Sequence, residues 1–305
     1  MSPTLIDRRT ARELEEAAAA EPAPSSRPGY GAEPGSAGRS PIVDPRIAPP
    51  SGEAVGMLVR RGFAPSFTAP DVPFDPDLPE PEAERLATAL DRYAFRLFLR
   101  GAIQRPDGFS PEEATRFLTP EHAAERAAQA AALGLTERLP GGRYRLLKPA
   151  FSFGGTLEWY VARRLRGRFA LDVIAGVNFH APGVGGDLDV VAAAEGKLVV
   201  LELKSSPPKH LGEEEVGAFF DRIRALRPHV AIFAVDTALR LADKAIPLLA
   251  AALGQRSPFK SPRRVERDLW ALTPHIYAVN AKPDLVANIG RALAEGLGAL
   301  APDMP

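Results

Sequence analysis

The chain has 305 residues with 38 basic and 38 acidic side chains, so it carries no global charge to draw in a polyanion, and any basic surface must be local. It has no cysteine, which excludes disulfides, thiolate zinc sites and a thiol nucleophile, and its five histidines lack metal-ligand spacing. No run reaches a membrane span and the start has no apolar signal core, so a cytoplasmic protein without membrane attachment is expected.

Residues 4–20 suit a short polar helix, and the Pro, Gly, Ser and Ala of 21–54 cannot bury enough apolar surface to order, so 1–54 is expected to be a disordered or linker segment. Residues 55–81 read as an extended, Pro-rich arm carrying Val55, Leu58, Phe63, Phe67 and Phe74. From 82 to 148 a compact unit is expected. Leu86, Leu90, Tyr93, Leu97 and Phe98 form an apolar stripe on a helix over 82–101. Ser110-Pro111-Glu112-Glu113 caps a second helix that ends near Leu118. Thr119-Pro120 opens a third, which Gly134 closes, and a Pro140-Gly141-Gly142 turn joins two short strands. Three helices and a hairpin in this order resemble a winged-helix domain. The third helix, PEHAAERAAQAAAL, is not basic, so its charge does not support direct DNA contact.

Residues 151–305 change character. A helix over 156–166 carries Glu158, and Arg163, Arg164, Arg166 and Arg168 read as a solvated charged face before they read as a DNA path. A strand over 168–179 follows, and then GGDLDVVAAAEGKLVVLELKSS (185–206). Its two apolar runs flank Glu195-Gly196, a two-residue hairpin loop. If that is the turn, Ala194 faces Lys197, and the same arithmetic sets Asp189 opposite Glu202 and Asp187 opposite Lys204, all on one face. Two ionised carboxylates about 5 Å apart repel by roughly 3 kcal/mol at an effective dielectric near 20. A lysine, a bound cation or protonation must offset that. KLVVLELK is apolar on both faces, as in a strand covered on both sides. Beyond it come a helix over 213–226, a strand over 229–235, a helix over 239–253 containing Pro247, a basic loop over 256–267, a strand over 274–280 and a closing helix from 283. Lys209, His210 and His180 read as loop or strand-end residues, and Lys260, Arg263 and Arg264 as a solvated face. The expected architecture is α/β, a mixed central sheet flanked by helices.

Gly186-Asp187-Leu188-Asp189-Val190, the hairpin and Glu202-Leu203-Lys204 together resemble the PD-(D/E)XK, or restriction-endonuclease-like, nuclease superfamily. The likeness covers about residues 151–300, and the helix–three strands–helix–strand order is similar to that family's core. Gly-Asp-Leu-Asp stands where the family has Pro-Asp. The resemblance implies a metal-dependent nuclease that hydrolyses phosphodiester bonds, an endonuclease acting on DNA rather than RNA, with Mg²⁺ replaceable by Mn²⁺. It implies that Asp189, Glu202 and the Leu203 carbonyl hold the metal, with Asp187 as substitute for Asp189 or partner of Lys204. Lys204 would orient or help deprotonate the attacking water, and Glu158 would be a further ligand or supporting base. It is also compatible with a homodimer. The alternative is a catalytically inactive module of the same fold that binds nucleic acid or a protein partner.

Overall fold

The structure, a computed structural model, describes residues 52–181, 184–256, 258 and 261–300. The helix expected over 4–20, all but the end of the linker, and Lys260 lie outside them.

The sequence KLVVLELK dictates the middle of the fold. All six interior residues of this strand, Lys197–Lys204, are buried, as is every residue of VAIFAV, Val230–Val235. Strands apolar on both faces need a layer on each side. They pair in parallel at the centre of an eight-stranded mixed sheet. In chain order its strands are β1 (Ser66–Phe67), β4 (Asp172–Ala181), β5 (Val184–Ala194), β6 (Lys197–Lys204), β7 (Val230–Val235), β8 (Arg263–Glu266), β9 (Leu269–Thr273) and β10 (Ile276–Asn280). They lie in the order β1-β4-β5-β6-β7-β10-β9-β8, with β6, β7 and β10 parallel and the other neighbours antiparallel. Helices α6 (Gly154–Phe169) and α9 (Leu285–Gly298) cover one face. Helices α7 (Glu213–Leu226) and α8 (Ala245–Gly254) cover the other. None of the described helices is long and apolar enough to cross a membrane.

The arm is not wholly extended. Glu53–Arg60 forms helix α1, whose Ala54, Met57 and Leu58 pack on Val177, Phe179 and Val191 of the sheet. Arg61 then donates to the carbonyls of Leu226 and Arg227 at the end of α7, both at 2.6 Å, where a cation complements the helix dipole. The chain continues into β1, which pairs with β4.

The unit over 82–148 has more breaks than its periodicity predicts. The first helix is two: α2 (Glu80–Leu90) and α3 (Tyr93–Ile103), parted at Arg92, which is extended. The break is held from both sides. The Leu90 carbonyl at the end of α2 accepts from Arg96 Nη1 at 2.6 Å, and the Asp91 carboxylate accepts from Tyr160, Arg164 and Arg168. The second helix is a single turn, α4 (Pro111–Ala114), with the capping box formed as expected and Thr115 already extended. It stops against Gly101, where a side-chain Cβ would lie 1.5 Å from the Ala114 carbonyl oxygen. Helix α5 (Pro120–Ala132) and the hairpin β2 (Thr136–Arg138) with β3 (Tyr144–Leu146) follow. Leu86, Leu90, Phe95 and Phe98 belong to the same buried cluster as Tyr160, Leu165, Val190 and Leu201. The core therefore runs without interruption from these helices to the sheet.

Other boundaries move for local reasons. Helix α6 runs to Phe169, so β4 begins at Asp172 rather than 168. The helix expected over 239–253 is a 3₁₀ turn, Leu241–Asp243, followed by α8, with Pro247 in the first turn of α8, where its missing N–H has no intrahelical partner to lose. The basic loop over 256–267 contains β8, and β9 was not expected at all; together they lengthen the sheet beyond β10.

Candidate active site

The hairpin turn is as read: Glu195 and Gly196 take φ of 52° and 69°, the left-handed pair that a two-residue turn matched to strand twist requires. The β5–β6 register runs from Ala194–Lys197 to Val190–Leu201. There it stops, and the expected pairs Asp189–Glu202 and Asp187–Lys204 do not form. Strand β5 stays with β4, so Asp187 pairs with Asn178 and its side chain is exposed. The cause is Asp189. Its Oδ2 accepts the Leu203 N–H at 2.6 Å, so a side chain takes the donor that a backbone carbonyl of β5 would otherwise have met. The two strands splay around this carboxylate.

Glu202 and Lys204 stand two apart on β6 and both meet α7. Glu202 is 5% exposed. Its Oε1 lies 3.0 Å from Lys204 Nζ, and its Oε2 accepts from Arg222. Lys204 Nζ is also 3.1 Å from Glu215 Oε1. Glu215 and Arg222 share a helical stripe with the buried Phe219, at spacings of four and three. Neither was singled out from the sequence: Arg222 is half-buried beside Phe219, and Glu215 is exposed in the first turn of α7. Arg96 and Arg100, four apart on the almost wholly buried α3, were missed as well, although two arginines on an apolar helix are a legible signal.

The electrostatics are unbalanced at Asp189. Burial raises its carboxyl well above the ordinary carboxylate range, and the charges of Glu202 and Glu158 add to that; the Leu203 N–H and Lys204 offset it only in part. Burial pulls Lys204 down, but Glu202, Asp189 and Glu215 together hold it above the usual lysine value, so it is a cation at neutral pH.

Asp187, Asp189, Leu203 and Lys204 share a cleft of about 1460 Å³ with Glu158 of α6. Glu202 is packed behind them, away from the cleft wall. The cleft is bounded by the arm at Phe67–Asp71, the end of α3, the start of α6 and the loop after β6. It opens at the carboxyl ends of the parallel strands β6 and β7, where α/β sheets bind their ligands. His210 lines it as well, whereas the carbonyl of Lys209 accepts from Lys244. His180 is exposed at its strand end. The arginines of α6 are not a simple solvated face. Arg163 is paired with Glu80 and Glu84, Arg164 with Glu84 and Asp91, Arg168 with Asp91, and Arg166 with the Val173 carbonyl. Arg263 pairs with Glu295, and Arg264 donates to nearby carbonyls.

No family model matches the sequence, and no curated protein matches it. Solved structures do. One is protein VC1899 from Vibrio cholerae, 12% identical with a TM-score of 0.49 over 80% of this chain and 62% of that one. Another is Can2 from Sulfobacillus thermosulfidooxidans in complex with cyclic tetra-adenylate, 17% identical with a TM-score of 0.46 over 80% of this chain and 60% of that one. The chain spans about three fifths of the length of either.

Proposed function

We propose that this chain is a metal-dependent nuclease that hydrolyses phosphodiester bonds of nucleic acid, with DNA as the substrate. The observation that carries the reading is the splayed hairpin. It brings Asp189, the Leu203 backbone and the Lys204 ammonium to one cleft, and it leaves Asp189 in a surplus of negative charge.

The donors suit a hard divalent cation such as Mg²⁺ or Mn²⁺, since all are oxygens. Among the described residues no three His, Asp or Glu side chains are gathered to hold an ion. Mg²⁺ keeps several waters and takes one or two carboxylates plus substrate phosphate in place of an all-protein cage. Asp189 and the Leu203 carbonyl would hold it, with Glu202, Asp187 and Glu158 as the neighbouring carboxylates. Such an ion polarises a phosphate and lowers the pKa of a bound water. The remaining work falls to the chain. Leu203 N–H fixes the Asp189 carboxylate, and the Glu202–Arg222 pair fixes Glu202, which with Glu215 holds Lys204 charged at the cleft. Lys204 is then a donor to the attacking water or to the developing charge on phosphate.

The clamp on Glu202 favours a second reading. A carboxylate saturated by Arg222 and Lys204 is what an inactive module that only binds nucleic acid or a protein would tolerate.

Incubation with linear and circular DNA, and with RNA, in Mg²⁺ or Mn²⁺ separates the two. Cleavage is expected, falling by about 10²–10⁴-fold in Asp189→Ala and in Lys204→Ala. Wild-type cleavage in both variants would overturn the site, and binding without cleavage in any metal would leave the inactive module.

A further inference from the structure

The other buried charges at this end of the sheet follow the end of β7. Asp236 is fully buried and faces two guanidiniums, Arg96 at 1% and Arg100 at 9% exposure. Arg96 makes most of the contacts to the carboxylate: Nε lies 3.0 and 3.1 Å from its two oxygens and Nη2 lies 2.8 Å from Oδ1. Nη1 of Arg96 meets the Leu90 carbonyl. Arg100 reaches Asp236 only through Nη2, at 3.0 Å from Oδ2 and 3.3 Å from the backbone oxygen, and its Nε has no hydrogen-bond partner. Arginine does not lose its proton in proteins, so the cluster holds a surplus positive charge away from water. An uncompensated buried charge is costly unless something pairs with it.

Arg100 lines the cleft beside Lys204: the Asp236 N–H donates to the Lys204 carbonyl at 2.8 Å. The cleft's other Lys and Arg side chains are differently placed. Lys204 is bound by Glu202 and Glu215, and Arg166 is held by the Val173 carbonyl through Nε and Nη2. Arg100 also stacks over Phe153, its Cζ 5.4 Å from the ring centroid, which fixes the guanidinium plane. We infer that Arg100 is a phosphate-binding residue, its incompletely paired guanidinium taking a phosphate group of the substrate strand next to the one held at Lys204. The assignment rests on the nuclease reading for its ligand, but not for its charge.

Two measurements in EDTA, where metal-dependent cleavage is silent, test it. Inorganic pyrophosphate is expected to raise the melting temperature of the wild-type chain and to leave that of Arg100→Met unchanged. In fluorescence anisotropy with a labelled single-stranded DNA oligonucleotide, Arg100→Met is expected to bind about tenfold more weakly. Its slope of log affinity against log salt should fall by about 0.7, one phosphate contact on a single strand. Wild-type affinity and slope in Arg100→Met would overturn the assignment. Should Arg100→Met not fold, Arg100→Lys decides: it keeps the charge but not the planar edge, and wild-type affinity there would overturn the assignment equally. A pyrophosphate response without an oligonucleotide effect would assign the site to free phosphate and overturn the strand contact. If binding depends on Arg100 and no metal supports cleavage, the nuclease reading falls and the phosphate site stands. Cleavage with binding indifferent to Arg100 gives the reverse.

Discussion

The carboxyl ends of β6 and β7 are neighbours, each carries a cluster of charge that is buried at β7 and partly buried at β6, and the two clusters are unbalanced in opposite senses. At the end of β6, Asp189, Glu202 and Glu215 face Lys204 and Arg222, so carboxyl groups outnumber cations. At the end of β7, Asp236 faces Arg96 and Arg100, so cations outnumber the carboxylate. Within each cluster a saturated pair can be recognised: Glu202 with Arg222 and Lys204, and Asp236 with Arg96. The less fully paired members, Asp189 and Arg100, both line the cleft. A buried ion pair is weak evidence for anything beyond structure, because its Coulomb gain roughly repays its desolvation. A surplus is different, since the fold alone does not repay it. A cation beside the acidic surplus and a phosphate beside the basic one would neutralise both, which is the charge pattern of a metal-bound phosphodiester.

The sharpest way to break this contrast is to remove the one anion of the β7 cluster. Asp236→Asn keeps the shape but leaves two guanidiniums without a counter-charge, and urea unfolding should show a loss of about 3–5 kcal/mol. A near-neutral result would mean that water reaches these arginines and that no surplus is buried. Arg222→Met tests the saturated pair at β6. Glu202 keeps Lys204 but loses the partner of Oε2, and the expected loss is about 1–3 kcal/mol by the same measurement. A loss as large as that of Asp236→Asn would mean that Arg222 balances the whole acidic cluster and not Glu202 alone.

How much of this was legible in the sequence differs between the two clusters. The hairpin announced itself through Glu195-Gly196 and through apolar strands that end in charge, and its first five residue pairs follow from counting outward from the turn. Counting failed at Asp189 because register arithmetic assumes that backbone donors meet backbone acceptors. There a carboxylate competes for the Leu203 N–H and wins, and nothing in the spacing of the chain reports that competition. The mixed sheet followed from the alternation of strands and helices, but β8 and β9 did not. Arg263–Glu266 has no buried residue and only the tertiary pairing with Leu269–Thr273 makes it a strand. The β7 cluster was hidden for another reason. Its members lie 136 and 140 residues apart in the chain, and a strand end supplies the acid. Two arginines inside FRLFLRG were visible as charges on an apolar helix, but their partner was not.

The smallest expected effect is also the most specific to the acidic surplus. Folding raises the proton affinity of Asp189 above its unfolded value, chiefly through burial and then through Glu202 and Glu158. The native state therefore binds more protons than the unfolded state between the ordinary aspartate range and the raised native value. Stability must fall as pH rises through that window, and the loss is complete above it. Asp189→Asn removes the titration while its side-chain oxygen still accepts from Leu203 N–H. In EDTA the variant should melt above wild type at neutral pH, with each kcal/mol worth roughly 2–4 °C. The difference should shrink as pH falls into the ordinary aspartate range. Millimolar Mn²⁺ should raise the wild type and not the variant, because a cation bound to the native state stabilises it in proportion to its occupancy. A difference in melting temperature that is flat with pH would show that the acidic surplus is already neutralised within the fold, and the contrast with the β7 cluster would then be lost.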